Sequence, residues 1–243
     1  MTVSASVLAV VSGAEAGAFY VRQLLRAVQA GRLETRRIVV VDRNPGCAAS
    51  AFAGGLVEIA TDDWGEWLDR ELLGLPDDAQ LVPYHWAPHL LLDWIAGEAR
   101  RVGGAAQRAA ALPAYGLPFE KDTRAGDRAL SYATWPCPPS CIEPALCPHT
   151  REPKDWSLAA KLEGVPPGFA GSLVFRSLHL VYGVASIPIA EIRAARARVL
   201  AGLDQERLYA IGTASHCHGL VTALAVRPRV FESQDRTAGA QRN

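Results

Sequence analysis

The chain has 243 residues, of which 49% are hydrophobic and 21% are charged, so it can bury a large core and is not disordered. Its formal net charge is zero, which argues against a protein that binds nucleic acid through a broad basic face. The apolar runs, such as 7–11, are too short to span a membrane, and no basic side chain precedes Arg22 as it would in a secretory signal peptide. We therefore expect a cytoplasmic protein.

The first sixty residues have the pattern of a β-α-β unit. An apolar strand at 6–11 is followed by a turn of small residues at 12–17. Apolar residues then recur at i, i+3, i+4 and i+7 along a helix that ends near Gly31: Val21, Leu24, Leu25 and Val28. A second apolar strand, 38–41, ends at Asp42, and such continuous runs are typical of parallel sheets that are covered on both faces.

This order of strand, glycine turn, helix, strand and acid resembles the Rossmann-type dinucleotide-binding unit. The resemblance implies that Gly13 and Gly17 let the backbone approach a pyrophosphate at the helix N-terminus, that Asp42 holds a ribose hydroxyl, and that NAD(P) is a cofactor. Glu15 occupies a position that is glycine in the usual motif. In the alternative interpretation, the two glycines only permit close packing of the helix on the strand.

Weaker β-α patterns follow. A strand is predicted at 55–60, and Asp63 with Glu66 forms a capping box for a helix that reaches residue 73. A short strand at 80–84 precedes a helix over 87–101, and an alanine-rich helical segment extends to about residue 112. His85 and His89 have a spacing that metals can use on a helix, but Pro88 falls between them, so we expect a surface or capping role.

The predicted fold is a Rossmann-like, doubly wound α/β protein with a mostly parallel sheet and an irregular, Cys/Pro-rich, metal-binding insertion. The Rossmann-like part covers 1–112, the insertion 113–170, the completion of the sheet 171–230 and a polar tail 231–243. Within the third segment we predict strands at 171–177, 207–213 and 219–226, with one helix over 187–203. An irregular segment as long as 113–167 is unusual in a compact domain and needs something that organises it, such as a metal.

The insertion carries Cys137, Cys141 and Cys147 among several prolines. In a reducing compartment, clustered cysteines more often bind metal or act in redox chemistry than form structural disulfides. The C-x3-C-x5-C spacing is not that of a common zinc knuckle, and proline follows both Cys137 and Cys147, as it follows the last cysteine of a bacterial ferredoxin motif. We expect an iron–sulfur cluster, with zinc as the alternative, while a reversible disulfide remains open.

A fourth ligand is expected from the sequence SHCHG, residues 215–219. Successive side chains of a strand point to opposite faces, so Cys217 would point one way and His216 with His218 the other. Cys217 would complete four thiolates, which suit a 4Fe-4S cluster or zinc. The two histidines would instead suit zinc or ferrous iron with an open position.

Three functions are compatible with these patterns. The first is a redox enzyme or electron-transfer component in which the cluster exchanges electrons with a nucleotide or another cofactor, and whose partner is a small molecule or a redox protein. The second is a non-redox zinc or iron enzyme that activates water or a carbonyl. The third is a non-catalytic binding or regulatory module in which the metal is structural. The sequence identifies no catalytic residue.

Overall fold

A computed structural model describes residues 2–83, 89–110, 112–124, 126–138 and 141–228, and these form a mixed α/β protein. The strands are β1 (Val3–Ser4), β2 (Val7–Val11), β3 (Leu33–Glu34), β4 (Arg37–Asp42), β5 (Val57–Thr61), β6 (Gln80–Val82), β7 (Ala105–Ala109), β8 (Phe119–Asp122), β9 (Arg128–Ser131), β10 (Gly171–Arg176), β11 (Leu178–Val181), β12 (Val184–Pro188), β13 (Arg207–Ala214) and β14 (His218–Arg227). The helices are α1 (Glu15–Gln29), α2 (Trp64–Glu71), α3 (Leu90–Arg101), α4 (Leu158–Glu163) and α5 (Ile189–Ala201), with short 3-10 turns at Ala48–Phe52 and Leu72–Gly74.

The first large sheet has the strand order β11-β12-β6-β2-β4-β5. Strands β6, β2, β4 and β5 are parallel to one another. Strand β12 pairs with β6 in the antiparallel sense, and β11 pairs with β12 in the same way. The predicted strands at 6–11, 38–41, 55–60 and 80–84 correspond to β2, β4, β5 and β6. The hairpin was not predicted from the sequence.

The second large sheet contains β10, β13, β14, β9 and β8 in that order, and β7 pairs with the other half of β14. Its strands are antiparallel except for the pair β10 and β13. We expected β10, β13 and β14 to complete the first sheet, but they pair with each other and with strands from the predicted insertion. The residues of 113–167 therefore do not form a wholly irregular insertion, since they contribute β8, β9 and α4.

The two sheets share a layer of helices. One core cluster joins residues of α2, α3 and α5 to inward-facing residues of both sheets, including Val39 of β4 and Ile211 of β13. The opposite face of the first sheet packs against α1, and the opposite face of the second sheet packs against α4. The order of layers is thus α1, first sheet, three central helices, second sheet and α4.

Helix ends follow the local signals of the sequence where those signals are strong. The Asp63 side chain accepts hydrogen bonds from the backbone N–H groups of Gly65 and Glu66, so the predicted cap of α2 is confirmed. The segment Ala105–Ala109 is β7 and not a helix, so that prediction was wrong. Its backbone hydrogen bonds are made with β14, and tertiary pairing overrides the helix preference of alanine.

Several predicted features lie outside the described residues: Tyr84, His85, Pro88 and the tail 231–243. The longest helix in the described ranges is α1, with 15 residues. Among those ranges, no helix has both the length and the apolar character that crossing a bilayer requires.

Candidate metal centre

Four cysteines from two distant parts of the chain line one small cavity. Cys137, Cys141 and Cys147 come from the loop between β9 and α4, and Cys217 comes from the turn between β13 and β14. The other lining residues are Ala133, Trp135, Pro138, Pro148, His149 and Lys154. All five cysteines of the chain are free thiols, and the fifth, Cys47, lies in the core beside α1.

The β13–β14 hairpin positions Cys217. Its turn is closed by the Ser215 N–H, which donates to the His218 carbonyl over 2.8 Å. The loop and α4 hold the tip, because Tyr132 N donates to Cys217 O over 3.0 Å and Leu158 N donates to His216 O over 2.9 Å. Glu143 from the loop accepts the His216 backbone N–H at 2.7 Å. The turn and its neighbours therefore hold Cys217 buried at the cavity.

A second tight turn positions Cys147. The Cys147 N–H donates to Glu152 O over 2.9 Å, and the Arg151 N–H donates to Cys147 O over 2.8 Å. The thiol of Cys147 faces the backbone N–H groups of Thr150 and His149, and these donors, Thr150 first, lower its pKa. These donors favour the thiolate over the thiol, and the thiolate is the form of cysteine that ligates metals.

The two histidines of SHCHG are engaged differently from Cys217. His218 Nδ1 lies 2.9 Å from the Ser131 hydroxyl on β9. His216 Nε2 is buried and has no hydrogen-bond partner in the described part of the chain. Neither histidine is among the residues that line the cavity, whereas Cys217 is. Because residues 215–218 form a turn, simple strand alternation does not describe their directions.

One tryptophan approaches a thiol through its indole N–H group. Trp156 Nε1 donates to Cys217 Sγ over 3.4 Å. Burial raises the pKa of Cys217, and this hydrogen bond and the charge of Lys154 oppose that rise. Burial is also the largest of the effects that raise the pKa of Cys137, and the neighbouring thiols raise it further. Trp135 has a smaller effect that lowers it. Cys217 is therefore buried beside an indole donor, while Cys137 is half-buried.

Aromatic stacking builds one wall of the cavity. The rings of Trp135 and His149, which both line it, stack at 4.8 Å between centroids. A second stack, of Tyr132 and Trp156 at 5.8 Å, lies outside the lining. The enclosed volume is about 20 Å³, which is close to that of one water molecule. Among the described residues, no three histidine, cysteine or carboxylate side chains are already arranged as a metal-binding group. Binding of a single metal ion would therefore require the four thiols to draw together.

The glycine turn after β2 is closely packed. A Cβ atom at Gly13 would overlap the Sγ of Cys47, and one at Gly17 would overlap the carbonyl of Ser12. Asp42 Oδ2 accepts the Gly13 N–H at 2.7 Å, and its Oδ1 accepts the Asn44 N–H at 2.9 Å. These contacts give both glycines and Asp42 a packing role in this turn.

Sequence reasoning assigned His89 a surface or capping role, and the capping role is confirmed. His89 is buried at the N-terminus of α3, where its Nδ1 accepts the Leu92 N–H. Its Nε2 lies 3.3 Å from the Thr213 hydroxyl, near the end of β13 that leads to Cys217. Helix α3 follows the parallel strand β6. The contact therefore links the start of α3 to the end of the second sheet, where the cysteine cavity lies.

The sequence pattern predicts no role for Lys154, Trp135 or Trp156. Lys154 and Trp156 lie seven and nine positions after Cys147, and Trp135 lies two positions before Cys137. Proximity in sequence to the cysteines was the available signal. It did not indicate which of these side chains turn toward the thiols.

The fold and the cavity define a mixed α/β protein with a thiol-lined pocket between a proline-rich loop and a β-hairpin. The family model AF_1314_C, described as "Uncharacterized protein, C-terminal domain", matches residues 90–227, and the chain belongs to this family. The matched region contains α3, the second sheet and all four cysteines of the cavity. No curated protein and no solved structure matches the chain.

Proposed function

We propose that the four cysteines bind a metal centre, first of all an iron–sulfur cluster, and that the protein is a redox enzyme or an electron-transfer component. The observation that carries the proposal is the convergence of Cys137, Cys141, Cys147 and Cys217 on one cavity. The loop and the hairpin are separated by about seventy residues of sequence, so this meeting is a product of the tertiary fold. Four thiolates suit a four-iron cluster, and hydrogen bonds to sulfur are typical of such sites.

A single zinc or iron ion is the second candidate, and the cavity volume of about 20 Å³ favours it. A four-iron cluster is larger and would require the loop to move outward. Either centre would be held by the same four thiolates. A hydrolytic site that uses His216 and His218 is less well supported, because the Nδ1 of His218 is engaged by Ser131 and neither histidine lines the cavity.

The arrangement of the first sheet supports a nucleotide or another cofactor as the electron partner. Its parallel strands have the order β5-β4-β2-β6, which matches the first four strands, 3-2-1-4, of the order 3-2-1-4-5-6 in a doubly wound dinucleotide-binding sheet. Ligands of such sheets bind beyond the carboxyl ends of the strands. His89, at the start of the helix that follows β6, contacts Thr213 near the end of β13 that leads to Cys217, and this supports a cofactor site on the side of the molecule that carries the metal centre.

The test is elemental analysis and visible spectroscopy of protein purified without oxygen. An iron–sulfur protein is expected to be brown and to contain iron with acid-labile sulfide, and a single-ion site is expected to contain one zinc or iron per chain without sulfide. Cys141→Ser and Cys217→Ser should lose the metal. Cys47→Ser is the matched control and should retain it, because Cys47 lies against Gly13 and outside the cavity.

Wild-type protein is also reconstituted with iron and sulfide and, separately, with zinc. Absence of bound metal after both treatments would refute the proposal. Retention of full metal content by Cys217→Ser would refute the assignment of that ligand.

For the cofactor, NADH and NADPH are titrated by fluorescence against the intact protein. Saturable binding of either is expected, and no binding of either would leave the glycine turn with its packing role alone.

A further inference from the structure

The cavity wall contains a cation as well as thiols. Lys154 is the one lysine or arginine among the described residues that line the cavity. Its backbone N–H donates to Ala145 O over 2.9 Å, across the same turn that holds Cys147. The side chain is half-buried, and it makes no ion pair with any carboxylate in the ranges that the structure describes.

The site requires a positive charge nearby when a metal centre is bound to the four thiolates. Four thiolates around a divalent zinc ion, or around a four-iron core with two positive charges, leave a net negative charge. Burial of a net charge is costly unless a counter-ion or hydrogen-bond donors accompany it. An ammonium group without a carboxylate partner at the cavity meets this need.

Two other groups act on the charge of this site. The Glu143 carboxylate has the opposite sign to Lys154, but it accepts the His216 N–H at 2.7 Å. The Trp156 indole N–H donates to Cys217 Sγ and is a second group that stabilises negative charge on sulfur.

We propose that Lys154 is the counter-ion of the thiolate metal centre and that, together with the Trp156 indole N–H, it sets the affinity and the reduction potential of that centre. This inference rests on the proposed metal function. Lys154 and Trp156 are positioning residues and do not ligate the metal. Reduction adds negative charge to an iron–sulfur cluster, so a nearby cation and an N–H donor stabilise the reduced form and raise the potential.

The experiment compares Lys154→Gln, Lys154→Arg and Trp156→Phe with Lys161→Gln in the full chain. Lys161 is exposed on α4, outside the cavity, and Lys161→Gln is the matched control for loss of one lysine charge. Loaded proteins are titrated with a chelator to obtain the metal affinity. Lys154→Gln is expected to lose about tenfold, as for outer-shell partners of other metal sites, while Lys154→Arg and Lys161→Gln stay near wild type.

If the centre is an iron–sulfur cluster, its midpoint potential provides a second measurement. Lys154→Gln and Trp156→Phe should both have a more negative potential than wild type, and Lys154→Arg should restore it. A structural role alone would not produce this rescue by charge. Circular dichroism of each variant verifies that the fold is intact.

The outcomes separate the two proposals. A metal-loaded wild type whose affinity and potential are the same in Lys154→Gln as in Lys161→Gln would overturn the counter-ion role and leave the metal function standing. The same holds if Lys154→Arg behaves as Lys154→Gln does, because charge would then not be the cause. A wild type that binds no metal would overturn both.

Discussion

At the scale of single residues, the turn after β2 illustrates how one motif serves two interpretations. Gly13 and Gly17 were expected to approach a pyrophosphate, and the structure brings them against Cys47 and the Ser12 carbonyl. Asp42 bonds to the Gly13 N–H, the kind of donor that a phosphate would otherwise use. Close packing therefore explains both glycines without a ligand.

His89 lies in a strongly perturbed environment. It is buried against Thr213, and burial lowers its pKa to about 4. Three charged side chains act on it with smaller effects: Asp127 and Asp93 raise its pKa, and Arg108 lowers it. The imidazole is therefore neutral in the folded protein at neutral pH.

Stability should depend on pH through this residue. A histidine in the unfolded chain takes up a proton near pH 6.5, whereas folded His89 does so only near pH 4. The unfolded state thus binds the extra proton within this window, and stability falls as the pH falls from about 6.5 to about 4. The loss from His89 amounts to about 3 kcal/mol.

The variant His89→Asn tests this expectation, since asparagine also caps helices and does not titrate. Urea unfolding between about pH 7 and about pH 4 should show a steeper loss of the free energy of unfolding for wild type than for His89→Asn. Parallel profiles for the two proteins would contradict the assignment, because the remaining acids titrate in both.

At the scale of elements, α3 and α5 are joined by a buried ion pair. Glu98 of α3 is 2% exposed and accepts from Arg196 Nε of α5 at 2.5 Å. Arg101, in the next turn of α3, also pairs with Glu98. Because these helices lie between the two sheets, the pair fixes one contact within the shared layer.

Glu98→Ala should lower the free energy of unfolding by about 3 kcal/mol, because it leaves Arg196 partly buried without its partner. Glu71→Ala is the control, since the Arg70–Glu71 pair is exposed and should contribute no more than about 1 kcal/mol. Chemical denaturation measures both. Equal losses for the two variants would contradict a special role for the buried pair.

Strand β7 and the β11–β12 hairpin mark the limit of prediction at this scale. Ala105–Ala109 has the composition of a helix, and it becomes a strand because β14 offers a partner for its backbone. Leu178–Pro188 was not predicted as a hairpin, although it pairs through β12 with β6. For β7 the deciding hydrogen bonds are made with residues far away in sequence. In the hairpin, β11 and β12 pair locally, and only the pairing of β12 with β6 is long-range.

At the scale of the whole molecule, the shared helical layer makes the two sheets interdependent. The core cluster that includes Trp67, Trp94 and Ile211 contains residues of both sheets and of all three central helices. The family match begins at residue 90, within this shared layer, so its boundary does not separate two cores.

We therefore expect one cooperative unfolding transition for the full chain. Removing either sheet would expose the apolar side of the central helices, at a cost of about 25 cal/mol for each Å² of apolar surface. Far-UV circular dichroism and tryptophan fluorescence, measured over the same urea series, should have coincident midpoints. Two separated midpoints would show that the sheets unfold independently.

Sequence alone was sufficient where the deciding interactions are local. The period of apolar residues in α1, the Asp63 cap of α2 and the apolar strands β2 and β4 are all set by neighbours along the chain. The sequence also contained the cluster of three cysteines in one loop and predicted that the fourth ligand lies in SHCHG, residues 215–219. These signals act within a few residues and need no knowledge of distant partners.

Only the tertiary structure decided what pairs across long separations. The second sheet, the strand at β7 and the placement of Cys217 at the loop cysteines depend on the pairing of β14 with β7, β9 and β13. The turn at 215–218 turns Cys217 toward the cavity, while His218 bonds to Ser131. The direction in which a side chain points at a turn depends on the hydrogen bonds that anchor the turn. Here several of them are made by residues that lie far away in sequence.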